Sequence, residues 1–322
     1  MEIQTELACR LSIVVPVYRS ALILPRLIEQ ISAEMNQAGL AGNFELLLVN
    51  DASPDDSWQV IRSLVRKYPF VRGISLRRNF GQHNATMAGL NFIRGEFVVI
   101  MDDDLQHPPQ AINDMLRALG QNYDVCYTRY LNRQHVAWKK LGSQFNDFIA
   151  TYLLNKPKGL YLSSFKAIRR EVADEMVKYD GPYAYVDGLI LDITRSITTI
   201  DVEHQARDEG EGNYNLRRSL SLWLKMATSF SVVPLRLATF LGFSMTALSA
   251  IFIIFLIIEK ILHPDLPAGW TSLIATVLFI GGMQTFFIGL IGEYLGRAYL
   301  KLNRKPQYVI GSTTWSEANQ NE

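Results

Sequence analysis

Three consecutive aspartates, Asp102, Asp103 and Asp104, follow the apolar run FVVIM (Phe97 to Met101) in a chain of 322 residues. Carboxylates this close repel one another unless a cation or hydrogen-bond donors compensate. On a strand, the side chains of Asp102 and Asp104 point one way and that of Asp103 the other. A hard divalent cation, Mg²⁺ or Mn²⁺, answers the repulsion. Held by one or two carboxylates, it usually completes its octahedron with substrate phosphate oxygens, so the triplet predicts a phosphorylated substrate. The plainer alternative is an Asp-rich turn capping a helix that begins near Pro108 and Pro109. No GxGxxG follows the first apolar run and no GxxxxGK[ST] occurs anywhere, which argues against a dinucleotide dehydrogenase and a P-loop NTPase. His83 and His107 are not paired by an HExxH pattern and read as polar surface or packing residues.

The elements that must position the aspartates alternate along the first 130 residues. Leu11 to Val17 (LSIVVPV), Phe44 to Val49, Val71 to Leu76, Phe97 to Met101 and Asp124 to Thr128 are short and rich in β-branched residues. Strands buried on both faces look like this. Between them lie helical stretches. Ser53-Pro54-Asp55-Asp56 offers a capping hydroxyl, an early proline and two acids for a first turn, after which Trp58, Ile61, Leu64 and Val65 recur at helical spacing. This alternation predicts an α/β fold with a mostly parallel, doubly wound sheet. Ligands of such sheets bind beyond the carboxyl ends of the strands. Those places are polar here: Tyr18 and Arg19, Asn50 and Asp51, Arg77 to Asn79, and the aspartate triplet.

Composition narrows the partners. With 32 basic against 31 acidic side chains, the chain lacks the basic field of a sequence-independent nucleic-acid binder, so no nucleic-acid partner is expected. At 48% hydrophobic it is too apolar for a disordered chain. Cys9 and Cys126 are too isolated for a disulfide framework or a thiolate metal site. MEIQTELACR carries no signal-peptide pattern, so the start of the chain is expected in the cytoplasm. The apolar residues concentrate late: Leu237 to Ile258 runs 22 residues without a charge and Leu266 to Gly292 another 27. Each as a helix spans a bilayer core of about 30 Å. Arg217, Arg218, Lys225 and Arg236 precede this hairpin and Arg297, Lys301, Arg304 and Lys305 follow it, which puts both termini in the cytoplasm. Trp138, Leu141, Phe145, Phe148 and Tyr152 form an apolar stripe that reads as an ordinary core-facing helix. Leu216, Leu220, Trp223, Leu224 and Ala227 form another, better read as an interfacial helix on anionic lipid.

Taken together, VVPVYRS, VNDASPDDS, LRRNFGQHNATMAGL and MDDDLQHPP, followed by two apolar spans ending IGEYLGRAYLKLNRKPQY, resemble the family-2 glycosyltransferases that charge polyprenyl phosphates. The resemblance covers about Leu11 to Tyr308. It implies a GT-A catalytic domain over 1–214, an interfacial helix over 215–231, a transmembrane hairpin over 232–300 (spans near 235–259 and 268–294) and a cytoplasmic tail over 301–322. It implies a nucleotide pocket lined by Pro16, Tyr18 and Asp51, with Asp102 and Asp103 also on the nucleotide sugar. Asp102 and Asp104 match the DxD pair, Asp104 being the direct ligand of Mg²⁺ or Mn²⁺ and Asp102 facing the ribose, or the metal through water. Gln106 falls near the transferred sugar and Arg133 near the phosphates.

For the acceptor phosphate the resemblance implies Arg207 and His204, with Arg129 a poorer match. Two departures stand out. GEGNY replaces the relatives' GxSK[YW], leaving Asn213 where a lysine is expected, and LSSFK replaces GDFR, so that Ser163, Ser164 and Lys166 occupy the neighbourhood of a proposed base. A base is dispensable, because a phosphate monoester with a second pKa of about 6 is already mostly a dianion at neutral pH. The implied reaction is one in-line displacement that inverts the anomeric centre, from a UDP-sugar to a polyprenyl phosphate such as undecaprenyl phosphate, at the inner (plasma) membrane. Two alternatives are a processive polysaccharide synthase, against which the missing QxxRW argues, and a non-catalytic adaptor or flippase component. Two spans are few for a flippase unless the chain forms a homo-oligomer.

Overall fold

Residues 9–130, 156–157, 159–181, 183–202, 233–262 and 269–318 are described in a computed structural model. The β-branched runs become β1 (Leu11–Val17), β2 (Phe44–Asn50), β3 (Val71–Leu76), β4 (Phe97–Ile100) and β5 (Val125–Tyr130). β1 and β2 are buried along their whole length, as their mostly apolar sequences require, with Ser12, Glu45 and Asn50 the buried polar members. Three further strands were not read from the sequence: β6 (Lys166–Arg169), β7 (Ile197–Val202) and β8 (Ile310–Thr313). The sheet runs β7-β5-β6-β4-β1-β2-β3-β8. β1, β2, β3 and β4 pair parallel, as do β5 and β7, while β6 and β8 pair antiparallel with their neighbours.

Helices α1 (Leu24–Gln37), α2 (Ser57–Lys67), α3 (Gln82–Leu90), α4 (Ala111–Gly120), α5 (Arg170–Met176) and α6 (Val186–Ile193) accompany the strands. Leu24, Leu27, Ile28, Ile31 and Met35 make the buried stripe of α1 and join the core with β1 and β2. α3 lies close against the sheet: a Cβ added to Gly89 would sit 2.5 Å from Val14 Cγ1. That contact is made by the last turn of α3, where only a glycine lets the helix pack this near β1.

The expected start of α2 needs correction. The helix begins at Ser57 with no acid in its first turn and no side-chain cap. Asp55 instead accepts from Ser57 Oγ at 2.7 Å and from the Ala21 amide at 3.2 Å, while Ser53 Oγ accepts from the Arg19 amide at 3.1 Å. The polar run therefore ties the loop after β2 to the loop after β1.

The chain divides into two compact units, Met1–Asn213 with Arg304–Glu322, and Tyr214–Asn303. The segment after the hairpin is thus more than a tail. β8 covers the edge of β3, Thr314 Oγ1 accepts from the Gly73 amide at 3.1 Å, and the short helix α9 (Thr314–Ala318) lays Trp315 over the Arg72 guanidinium, 4.3 Å from ring to carbon. Arg72 in turn holds buried Glu45 at 2.8 Å. A chain truncated after Lys305 should lose thermal stability and aggregate, because the β3 edge would be left unpaired. Trp315→Ala should cost about 0.5–2 kcal/mol through the lost cation–π contact. Thermal melts and light scattering on the two variants check both outcomes.

The second unit holds α7 (Val233–Leu262) and α8 (Trp270–Leu302), 30 and 33 residues long. Phe243, Ile251, Phe255, Phe286 and Ile288 on them are exposed. Among the described residues no helix is long and apolar enough to cross a membrane.

Candidate functional site

Loops at the carboxyl ends of β1, β2, β3 and β4 converge, and antiparallel β6 brings a fifth segment to them. Because Ile100 and Lys166 are in register, Ser164 arrives beside Asp102. The triplet itself lies past the end of β4, in a loop. Side-chain alternation along a strand therefore does not apply to it. Arg19, Ala52 and Leu105, in the loops after β1, β2 and β4, have positive φ of 60°, 49° and 61°. Such backbone costs about 1–3 kcal/mol per residue and collects at functional sites.

Each aspartate has its own partners. Asp102 Oδ1 accepts from Gln82 Nε2 at 2.5 Å and Oδ2 from Ser164 Oγ at 2.7 Å, while its backbone amide donates to His107 Nδ1 at 2.9 Å. Asp103 Oδ2 accepts from the Tyr18 amide at 3.1 Å and from Ser20 Oγ at 2.5 Å. Burial pushes its carboxyl up to about 6 despite those donors. Asp103 therefore fastens the loop after β1. Asp104 Oδ1 accepts from the Gln106 amide at 3.1 Å, and no donor reaches Oδ2 among the described residues.

Asp51 accepts from the amides of Phe80 at 2.7 Å and Gly81 at 2.8 Å, one on each oxygen, and burial raises its pKa above the usual carboxylate value. In this structure it holds the loop leading into α3. Pro16 is buried inside β1, in register with Val49. Tyr18 is exposed beside it, with Arg19 stacked on its ring at 5.4 Å.

Three of the residues expected at the acceptor phosphate, Lys166, Ser163 and Arg129, have protein partners in the structure. Lys166 is buried and ion-paired to Asp187, which also accepts from Tyr127 OH at 2.9 Å. A lysine so enclosed cannot reach a phosphate in solvent. Ser163 is buried too and accepts from Thr128 Oγ1 at 3.0 Å and the Phe165 amide at 3.2 Å, a turn inside the fold. Arg129 grips Asp201 with two bonds, at 2.6 and 2.9 Å, on the exposed side of β5 and β7. Arg133, His204, Arg207 and Asn213, along with both helical stripes near Trp138 and Trp223, lie outside the described residues.

Sequence reasoning missed Gln82 and Ser20, and it took His107 for a surface or packing residue. His107 is buried and stacked on Phe165 at 4.8 Å. It stood within the aspartate motif, the one signal available. Nothing in the sequence linked Gln82 to Asp102 across 20 residues.

Among the described residues no group of three His, Cys, Asp or Glu side chains could cage a cation. One carboxylate oxygen on Asp104 that no donor reaches among the described residues, next to the Asp102 carboxylate, suits a hard cation that brings its remaining ligands with a phosphorylated substrate. The residues fit such a shared site and not an all-protein one.

Residues 12–177 match the family described as Glycosyl transferase family 2, and 233–298 match the GtrB C-terminal hairpin. The chain is similar to an undecaprenyl-phosphate 4-deoxy-4-formamido-L-arabinose transferase of Pseudomonas syringae pv. syringae (strain B728a), at 33% identity over 93% of this chain and 89% of the relative. A Serratia proteamaculans (strain 568) protein of the same name is 31% identical over 97% and 96%. Among solved structures, glucosyl-3-phosphoglycerate synthase from Mycobacterium tuberculosis, in complex with Mn²⁺, UDP-glucose and phosphoglyceric acid, is 17% identical. It covers 69% of this chain and 78% of that one, with a TM-score of 0.49.

Proposed function

This chain belongs to glycosyl transferase family 2, a glycosyltransferase, and on that premise we propose that it moves a sugar from a UDP-sugar to undecaprenyl phosphate with inversion. The observation that carries the donor side is the Asp104 oxygen that no donor reaches among the described residues, where the strand-end loops meet. Asp104 would hold Mg²⁺ or Mn²⁺, with Asp102 beside it toward the ribose. Such a cation neutralises charge on the leaving diphosphate. Asp103 and Asp51 keep the surrounding loops in place, and Tyr18 borders the nucleotide. No general base is needed, and neutral Ser164 at this position is consistent with an acceptor that is already ionised. Gln106 near the sugar, with Arg133, Arg207 and His204 on the phosphates, completes the proposed machinery.

The acceptor and the location rest on the relatives' names and on the hairpin match. The uncharged runs of 22 and 27 residues support a membrane location, since each as a helix is long enough to span a bilayer core. We read α7 and α8 as crossing the inner membrane, with both termini in the cytoplasm, where nucleotide sugars are made.

Membrane vesicles test the whole proposal. Inside-out vesicles given undecaprenyl phosphate, Mn²⁺ and a panel of labelled nucleotide sugars should form an acid-labile glycolipid from a UDP-sugar, and EDTA should stop it. Sealed right-side-out vesicles should not label. Absence of glycolipid with every donor overturns the activity, and labelling in the right-side-out preparation overturns the orientation.

A further inference from the structure

Asp102 is held by Gln82, Ser164 and His107, and the last two are linked to each other. The Asp102 amide donates to His107 Nδ1 at 2.9 Å, so a neutral His107 carries its proton on Nε2. Nε2 lies 3.3 Å from Ser164 Oγ. That hydroxyl therefore accepts from the ring and must send its own proton to Asp102 Oδ2, 2.7 Å away. Gln82 closes the other side at Oδ1. Stacking on Phe165 at 4.8 Å and an interplanar angle of 7° fixes the imidazole, and both rings are buried.

From this geometry we propose that His107 and Ser164 are positioning residues: the chain His107 Nε2–H to Ser164 Oγ–H to Asp102 Oδ2 sets the plane of the Asp102 carboxylate. The inference rests on the reading of Asp102 and Asp104 as the nucleotide and metal site, and deepens it. A carboxylate offers about four lone-pair directions, so one oxygen-bound donor on each side leaves Asp102 able to accept from a ribose hydroxyl or a metal-bound water in one fixed direction. Asp104, with a free oxygen, is left as the metal's protein ligand. Without the relay, Asp102 can turn toward the cation and the two roles are no longer separated.

The test is binding of Mn²⁺ with UDP to the full-length protein in detergent, read by electron paramagnetic resonance of free Mn²⁺, beside donor and acceptor KM. Hydrogen bonds to a charged group set the scale, so Ser164→Ala should weaken Mn²⁺·UDP binding by about tenfold or more. Donor KM should rise, acceptor KM should not move, and Ser164→Thr should recover most of the loss. His107→Phe keeps the stack and removes both ring nitrogens, so its defect should match that of Ser164→Ala. Because both act through one relay, the double variant should be no worse than the more affected single. If His107→Phe does not fold, the Ser164→Ala and Ser164→Thr pair decides the matter alone. Normal Mn²⁺·UDP binding by Ser164→Ala, or losses that multiply in the double variant, overturns the relay while leaving the proposed activity standing. Wild-type protein that binds no Mn²⁺ with UDP overturns both.

Discussion

Asp104→Ala is expected to abolish sugar transfer, by a thousandfold or more on the order of what removing a metal anchor costs, while the protein stays folded. The carboxylate is only half-buried, gives one oxygen to the Gln106 amide at 3.1 Å and packs in no core cluster, so little stability depends on it. Asp103→Ala has a different expected outcome. A strand-based reading makes Asp103 the spare member of the triplet, yet it anchors Tyr18 and Ser20, and its loss should free the loop after β1 and raise donor KM. Initial rates against UDP-sugar and Mn²⁺, beside thermal melts, separate the two variants. Transfer by Asp104→Ala within tenfold of wild type, still dependent on Mn²⁺, would move the metal to Asp102.

Lys166→Ala should destabilise the catalytic domain by about 3–5 kcal/mol, the usual cost of stranding one member of a buried ion pair. Lys166 and Asp187 are both buried, and loss of the lysine would leave the Asp187 carboxylate inside the fold with its charge unpaired, accepting from Tyr127 OH. The double variant Lys166→Met/Asp187→Asn should recover most of the loss, since it removes both charges and keeps an acceptor for Tyr127. Urea unfolding followed by tryptophan fluorescence measures all three proteins. A single variant as stable as wild type would return Lys166 to the list of candidate phosphate ligands.

How much of this was legible beforehand depends on the kind of signal. Strands β1 to β5 were, because β1, β2 and β4, buried along their length, leave mostly apolar runs and β3 and β5 keep enough buried apolar positions to be recognised without a partner. β6 and β8 were not: each is four residues long and antiparallel, and what makes LysAlaIleArg or IleGlySerThr a strand is the edge waiting for it. The start of α2 was misplaced for a related reason. Ser53 and Asp55 are good capping residues, but amides of the neighbouring loop at Arg19 and Ala21 compete for them.

At the site, residue type and order along the chain determined by themselves that carboxylates cluster past the fourth strand, that the polar positions fall at strand ends, and that two long uncharged runs follow. These are local properties, written in composition and period. Only the tertiary structure decided which carboxylate is spent and which is open. Asp51, Asp102 and Asp103 look alike in sequence to Asp104, and they differ because amides and hydroxyls from Phe80, Gly81, Gln82, Ser164, Tyr18 and Ser20, brought from other segments, reach three of them on both sides or bury them. The same holds for Lys166, a phosphate candidate by its type and an interior cation by its place opposite Asp187. A side chain's charge is a property of the residue, whereas its availability is set by the donors, acceptors and solvent around it, and those are assembled only when distant segments meet.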